Sequence, residues 1–272
     1  MRGLFSAGIT DVMMENALFV DGIIGVSAGA AFGCNYKSNQ PGRAVRYNLT
    51  YSRDPRYCSV RSLLRTGDLY GADFCYHELP DRLDVFDTAA FASSPIAFYV
   101  VCTDVVTGEA VYHRIDAVDY DELEWMRASA SMPLVSRVVE VGGRKMLDGG
   151  IADSIPIRYF QKIGYEKNIV VLTQPRGYTK SKNSLLPLIR AALRKYPKAV
   201  DAIARRHEMY NETLEYLWKE EKHGNTLVLC PEEKLPVERV ERDPEKLRAV
   251  YNIGRKYGEE KLEIIRDFLK KE

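Results

Sequence analysis

Gly25-Val26-Ser27-Ala28-Gly29 holds a serine between two glycines, after the short apolar run Phe19–Ile24 and ahead of Ala30-Ala31-Phe32, which reads as the start of a helix. Strand, G-x-S-x-G and helix together make a nucleophile elbow, in which the chain reverses so sharply that only very small residues fit two positions away on either side. The serine is left at the tip, above a helix N-terminus whose unpaired N–H groups favour a developing anion. An ordinary glycine-rich turn fits the same five residues. A serine nucleophile also needs a base. None of the four histidines, His77, His113, His207 and His223, lies in a glycine-rich loop or at a clear strand end. The best-presented acid is Asp148, at the end of a strand pattern and followed by Gly149-Gly150. A structural Asp-Gly turn is an equal reading of that motif taken alone. A carboxylate within reach of a serine hydroxyl can act as the base directly, so the pair points to a Ser–Asp dyad.

The surrounding pattern says which elements would carry these residues. Met1-Arg2-Gly3-Leu4-Phe5 leads into a helical pattern that ends near Ala17, with Ser6 as N-cap and Ile9, Val12 and Met13 on one face. An elbow at residue 27 leaves no room for the several strands that precede it in an α/β-hydrolase. Ile96–Cys102 is a continuous apolar run suited to a buried parallel strand, and Ala110–His113 reads as the next strand. Asp121–Ala130 is helical, and Val138–Val141 and Arg144–Leu147 form a hairpin about Gly142-Gly143. Asn168–Thr173 and Thr226–Cys230 are further strands. Val200, Ile203, His207, Tyr210, Leu214 and Leu217 follow 3-4-3-4-3 spacing, a single helical stripe on which His207 reads as a packed core residue. Asp243-Pro244 is an N-cap and N1 pair for one final helix reaching Leu269.

At 272 residues the chain can bury a full core, and its net charge of +1 argues against a general nucleic-acid binder. No apolar run nears the roughly 20 residues of a membrane span. Five dispersed cysteines without a C-x-x-C fit a reducing cytoplasm. Arg43, Arg46, Arg53, Arg56, Arg61 and Arg65 crowd one segment. They read either as a peripheral contact for anionic phospholipid headgroups or, preferably, as a solvated face paired to acids elsewhere.

The sequence resembles a bacterial patatin-like phospholipase. Four blocks carry the likeness in order: Met1-Arg2-Gly3, the tail of that family's G-G-G-x-[RK]-G oxyanion loop; GVSAG at 25–29; A-S-x-x-x-P at 128–133; and Asp148-Gly149 of D-G-[GA]. The resemblance implies a three-layer α/β/α fold with a mainly parallel central sheet. It also implies a catalytic core over 1–175 and a mostly helical region over 176–272 packed on that core, with one strand near 226–230. The implied activity is that of a lipid acyl hydrolase in lipid catabolism, a carboxylic ester hydrolase using neither cofactor nor metal. Ser27 would be the nucleophile, Asp148 the base, and the backbone N–H groups of Arg2, Gly3 and Ala28 the oxyanion hole, with Gly25, Gly29 and Gly149 shaping the turns.

The family's three glycines and the strand before them are missing from this sequence. The expectation is a start codon assigned too late; the alternative is a gap closed by another element or by a second subunit of a homo-oligomer. Two other functions stay open: an inactive patatin-like protein with a binding role, and a serine acyltransferase with a histidine partner.

Overall fold

The structure is a computed structural model and describes residues 1–270. The chain runs α1 (Gly3–Glu15), β1 (Gly22–Val26), α2 (Ala28–Lys37), α3 (Arg43–Tyr51), α4 (Val60–Thr66), a π-helical stretch (Phe74–Leu83), α5 (Thr88–Ser93), β2 (Ala97–Asp104), β3 (Ala110–Ile115) and α6 (Tyr120–Ser129). It continues through β4 (Val139–Val141), β5 (Arg144–Asp148), a 3₁₀ turn (Gly149–Ile151), α7 (Ile157–Lys162), β6 (Asn168–Val171), α8 (Leu186–Ala192), α9 (Pro197–His223), β7 (Thr226–Leu229), α10 (Pro244–Glu260) and α11 (Leu262–Lys270).

Strand β2 is the axis of a five-stranded sheet. Antiparallel β3 pairs along Phe98–Thr103, while parallel β1 takes Ala97–Val101 and antiparallel β5 takes Cys102–Asp104. Alternation along β2 separates two cores. Phe98, Val100 and Cys102 join Ala30, Phe91 and Met126 from α2, α5 and α6. Leu147 and Ile151 join Ile189, Val200 and Ile203 from α8 and α9. Helices therefore cover both faces, giving a three-layer α/β/α arrangement.

The pairing is mixed, where a mainly parallel sheet was expected. Within the larger sheet β1–β2 is parallel, whereas β2–β3, β2–β5 and β4–β5 are antiparallel. The connections explain this: β4 and β5 are joined by Gly142-Gly143 alone, both at positive φ, and so short a link cannot make a parallel crossover. Strands β6 and β7 form a separate parallel pair.

Two helix ends also differ from expectation. Ser6 is not an N-cap: the ladder begins with Leu4 N–H donating to Met1 O, so α1 starts at Gly3 and Ser6 lies within it. The final helix is interrupted at Lys261 (φ −98°, ψ 2°). The Asp243 cap is present, its carboxylate accepting from Glu245 N–H. The arginine-rich segment is largely paired. Arg46 meets Asp84 at 2.7 Å, Arg43 meets it at 3.4 Å, and Arg56 binds Asp54 and Glu78.

Helix α10 clasps α1 at near-backbone contact. A Cβ on Gly8 would stand 2.4 Å from Tyr251 O, and one on Gly254 would stand 2.1 Å from Phe5 O. Polar pairs fix the register: Tyr251 Oη donates to Asp11 at 2.6 Å, and Arg255 binds Glu15 through two 2.7 Å contacts. We expect Gly254→Val to destabilise the protein by about 1–3 kcal/mol through overpacking, read as a lower urea midpoint. An unchanged midpoint would mean the helices part without cost.

Candidate active site

The five apolar or glycine residues Gly22–Val26 carry the chain along β2 to Val26, which pairs with Val101. The next residue, Ser27, turns away at φ 55° and ψ −118° before α2 begins. A non-glycine residue at such angles stores of order 1–3 kcal/mol and persists only where its surroundings impose it. One such restraint is Ser129, fully buried, whose Oγ accepts from Ser27 N–H at 3.0 Å and donates to Val101 O at 2.7 Å. Gly25 is required by space, since a Cβ there would lie 2.4 Å from Gly29 O. Gly29 is not: a Cβ there would meet nothing within 4 Å.

Strand β3 occupies one edge of β2 throughout, so β1 and β5 must share the other edge end to end. Val26 stands across from Val101 and Asp148 across from Cys102, the adjoining rung. The elbow serine and the strand-end carboxylate are thus delivered to the same point, and both line one cavity of about 930 Å³. Asp148 is held firmly. Its N–H donates to Ser131 O at 2.8 Å, its carbonyl accepts from Thr103 Oγ1 at 2.9 Å, and its Oδ1 accepts from Gly150 N–H at 2.8 Å. Gly149 lies beneath it, where any Cβ would stand 2.0 Å from Val101 O. No hydrogen bond joins Ser27 Oγ to the Asp148 carboxylate among the described residues; such contacts often tighten only when substrate binds.

Two helix N-termini converge on this point. Ser27 caps α2 and Arg2 caps α1, and a Cβ on Gly3 would sit 2.6 Å from Ala28 Cβ. The first N–H groups of a helix have no partner inside it, and here the first turns of α1 and α2 lie against each other at Gly3 and Ala28. Arg2, Gly3, Gly25, Ala28 and Gly29 all line the cavity.

None of the four histidines lines it. His77 and His113 bond to Glu124 and Glu122, and His207 Nδ1 lies 3.1 Å from Ala204 O within α9. His223 lies 3.6 Å from Glu220. Among the described residues no three His, Cys, Asp or Glu side chains gather as a metal would need.

The cavity wall contains residues that the motifs did not flag. Ser129 is not part of that wall: it is fully buried behind the elbow, within the A-S-x-x-x-P block. The unflagged wall residues are cations: Lys180, Arg206 and Arg239 line it together with Arg2, and the Arg206 guanidinium approaches the Asp148 carboxylate beside Gly150. Arg206 had a legible signal, since it falls three residues after Ile203 and four before Tyr210, on the inward side of α9. Burial first, and then Arg206, Arg2 and Arg239, push the Lys180 amine from its ordinary 10.5 down to about 8.

A family model described as patatin-like phospholipase matches residues 1–160. The chain belongs to the patatin-like phospholipase family. A second model, a domain of unknown function (DUF6363), matches residues 196–270, so this patatin-like chain carries both. It is 29% identical over 180 residues to the uncharacterized protein YjjU of Escherichia coli, covering 64% of this chain and 49% of that protein. It is 26% identical over 174 residues to an uncharacterized NTE family protein of Mycobacterium bovis, covering 62% of this chain and 45% of that protein. The chain spans about half the length of these curated relatives.

A lysine with a depressed native pKa costs stability while it is protonated. That cost is complete below about pH 8 and is relieved as pH rises toward 10.5, because the unfolded chain then holds the extra proton. Lys180→Met should therefore raise the melting temperature at pH 7, with the gain shrinking between pH 8 and 10. A variant that is less stable at pH 7 would contradict this. Replacing His207 with Gln should alter stability and leave turnover in place; loss of turnover in a folded protein would bring back a histidine base.

Proposed function

We propose that the protein is a serine acyl-ester hydrolase acting on acyl lipids or simpler esters, with Ser27 as nucleophile and Asp148 as general base. The observation that carries this reading is that Ser27 directly follows Val26, whose rung on β2 adjoins that of Asp148, and that both residues line one cavity. In the first half-reaction Asp148 takes the hydroxyl proton while Ser27 Oγ bonds to the acyl carbon. The tetrahedral oxyanion lies against the N–H groups of Arg2, Gly3 and Ala28. Loss of one such donor costs roughly 3–4 kcal/mol in known hydrolases. Collapse breaks the ester C–O bond as Asp148 returns the proton to the leaving alcohol. In the second half-reaction Asp148 deprotonates a water that attacks the acyl-serine, and the proton returns to Ser27 as the carboxylic acid departs.

Family membership supports the hydrolase class. An acyltransferase relying on a histidine finds no support, because no histidine lines the cavity. The five cysteines form no disulfide, which fits a cytoplasmic location. No described helix is long and apolar enough to cross a membrane. Contact with a lipid surface would fall to α4, where Val60 and Leu64 are 66% and 84% exposed beside Arg61 and Arg65.

Ser27→Ala and Asp148→Asn should each lower chromogenic acyl-ester hydrolysis by about 10⁴-fold or more, with circular dichroism unchanged. A fluorophosphonate probe should label the parent protein and not Ser27→Ala. Full activity in Asp148→Asn would remove the acid from the mechanism, and no labelling or turnover in the parent would leave a binding role.

A further inference from the structure

The larger sheet and the β6–β7 pair each end on an open edge, and both edges border one cavity. Among the described residues β1 pairs only with β2, and β6 only with β7. Gly22–Val26 and Asn168–Val171 nevertheless line the same cavity along their whole length. Both strands start from one end of it, where a Cβ on Gly22 would lie 2.6 Å from the Tyr165 ring, three residues before β6. From there they run side by side, and β1 finishes at the Ser27 elbow.

Parallel pairing uses the backbone groups of alternate residues. Ala97 N–H donates to Asp21 O, so the ladder to β2 falls to Asp21, Ile23 and Gly25. Gly22, Ile24 and Val26 therefore turn their N–H and C=O groups toward the cavity. In β6, Asn168 N–H donates to Asn225 O and Leu172 N–H to Leu229 O, which leaves Ile169 and Val171 facing the cavity in the same way. Side-chain burial agrees. Phe98, Val100 and Val101 of the fully flanked β2 are buried, whereas Ile23, Ile24, Ile169 and Val171 are only half-buried. The remaining walls of this part of the cavity are helical, with Ser6, Thr10 and Met13 from α1 and Ile157 and Phe160 from α7.

We infer that β1 and β6 form a docking slot for an extended apolar segment of a partner polypeptide, which inserts between them as a parallel strand. Backbone chemistry selects that occupant. Two rows of N–H and C=O groups at strand spacing need acceptors and donors, and a peptide supplies them from both of its edges at once. An acyl chain would fill the same space and leave both rows without partners. Five residues reach about 17 Å, enough to follow β1 from end to end. Helices above and below call for a continuous apolar run rather than an alternating one. Once inserted, the segment joins the two sheets into one, and its C-terminal end comes to rest beside Ser27. The slot stands independently of the ester chemistry.

The probe is a fluorescein-labelled peptide with two lysines ahead of the run Val-Ile-Val-Ile-Val, titrated into the full chain and followed by fluorescence anisotropy. Saturable binding at micromolar concentrations is expected. N-methylation of the two isoleucines strips the donors from one edge of the peptide and should weaken binding at least tenfold. Amide hydrogen exchange then locates the peptide: the N–H groups of Gly22, Ile24, Val26, Ile169 and Val171 should exchange at least tenfold more slowly when it is bound. No saturable binding, equal binding by the N-methylated peptide, or unchanged exchange at these amides overturns the proposal. Equal protection of the same amides by laurate would make an acyl chain the occupant and overturn it as well. Protection that rises with protein concentration alone would assign the slot to a second copy of the chain, against the partner proposed.

Discussion

Everything at the candidate site depends on one edge of strand β2. With β3 hydrogen-bonded along the opposite edge, β1 and β5 must divide the remaining length, β1 as far as Val101 and β5 from Cys102 onward. Two strands that meet head to head on a shared partner bring their ends together whatever their separation in sequence. Backbone pairing is close to obligatory for buried strands, so this placement is robust to changes in the side chains nearby. The strained turn at Ser27 then decides only where the hydroxyl points. Ser129 fixes that turn by bridging Ser27 N–H and Val101 O, tying the elbow to the rung beside Asp148.

Electrostatics divides the basic residues of the chain into two populations. The arginines of α3 and the following loop are spent on structure: Arg43 and Arg46 converge on the buried Asp84, whose side chain is 7% exposed. Lys180, Arg206 and Arg239 gain no such partner among the described residues and line the cavity that holds Asp148. Burial first, and then these neighbouring cations, depress the Lys180 pKa.

The two regions matched by separate family models are mechanically one body at their seam. Helix α10 lies against α1 so closely that Gly8 and Gly254 each face opposing backbone, and Asp11, Tyr251, Glu15 and Arg255 lock the pair in register. Helix α1 also carries Arg2 and Gly3 at its N-terminus. Through this clasp α10 sets where the N-terminus of α1 stands, while α9 sets where Arg206 stands.

The residue types and their local periodicity were enough to identify the elbow serine, the carboxylate at the end of β5, the β4–β5 hairpin, the α9 stripe and the Asp243 cap. These are short-range features: a turn, a cap or an amphipathic face is written within a few neighbouring positions. Sheet direction, the π-helical stretch through Pro80 and the interruption at Lys261 were not legible, because packing partners far along the chain override local preference there. The need for Gly25 but not for Gly29 shows only once the turn's neighbours are in place. The meeting of Lys180, Arg206 and Arg239 in the wall of one cavity likewise belongs to tertiary structure. Sequence spacing describes one helix or strand at a time, and that meeting depends on how a loop, α9 and the segment before α10 are laid over the end of β5.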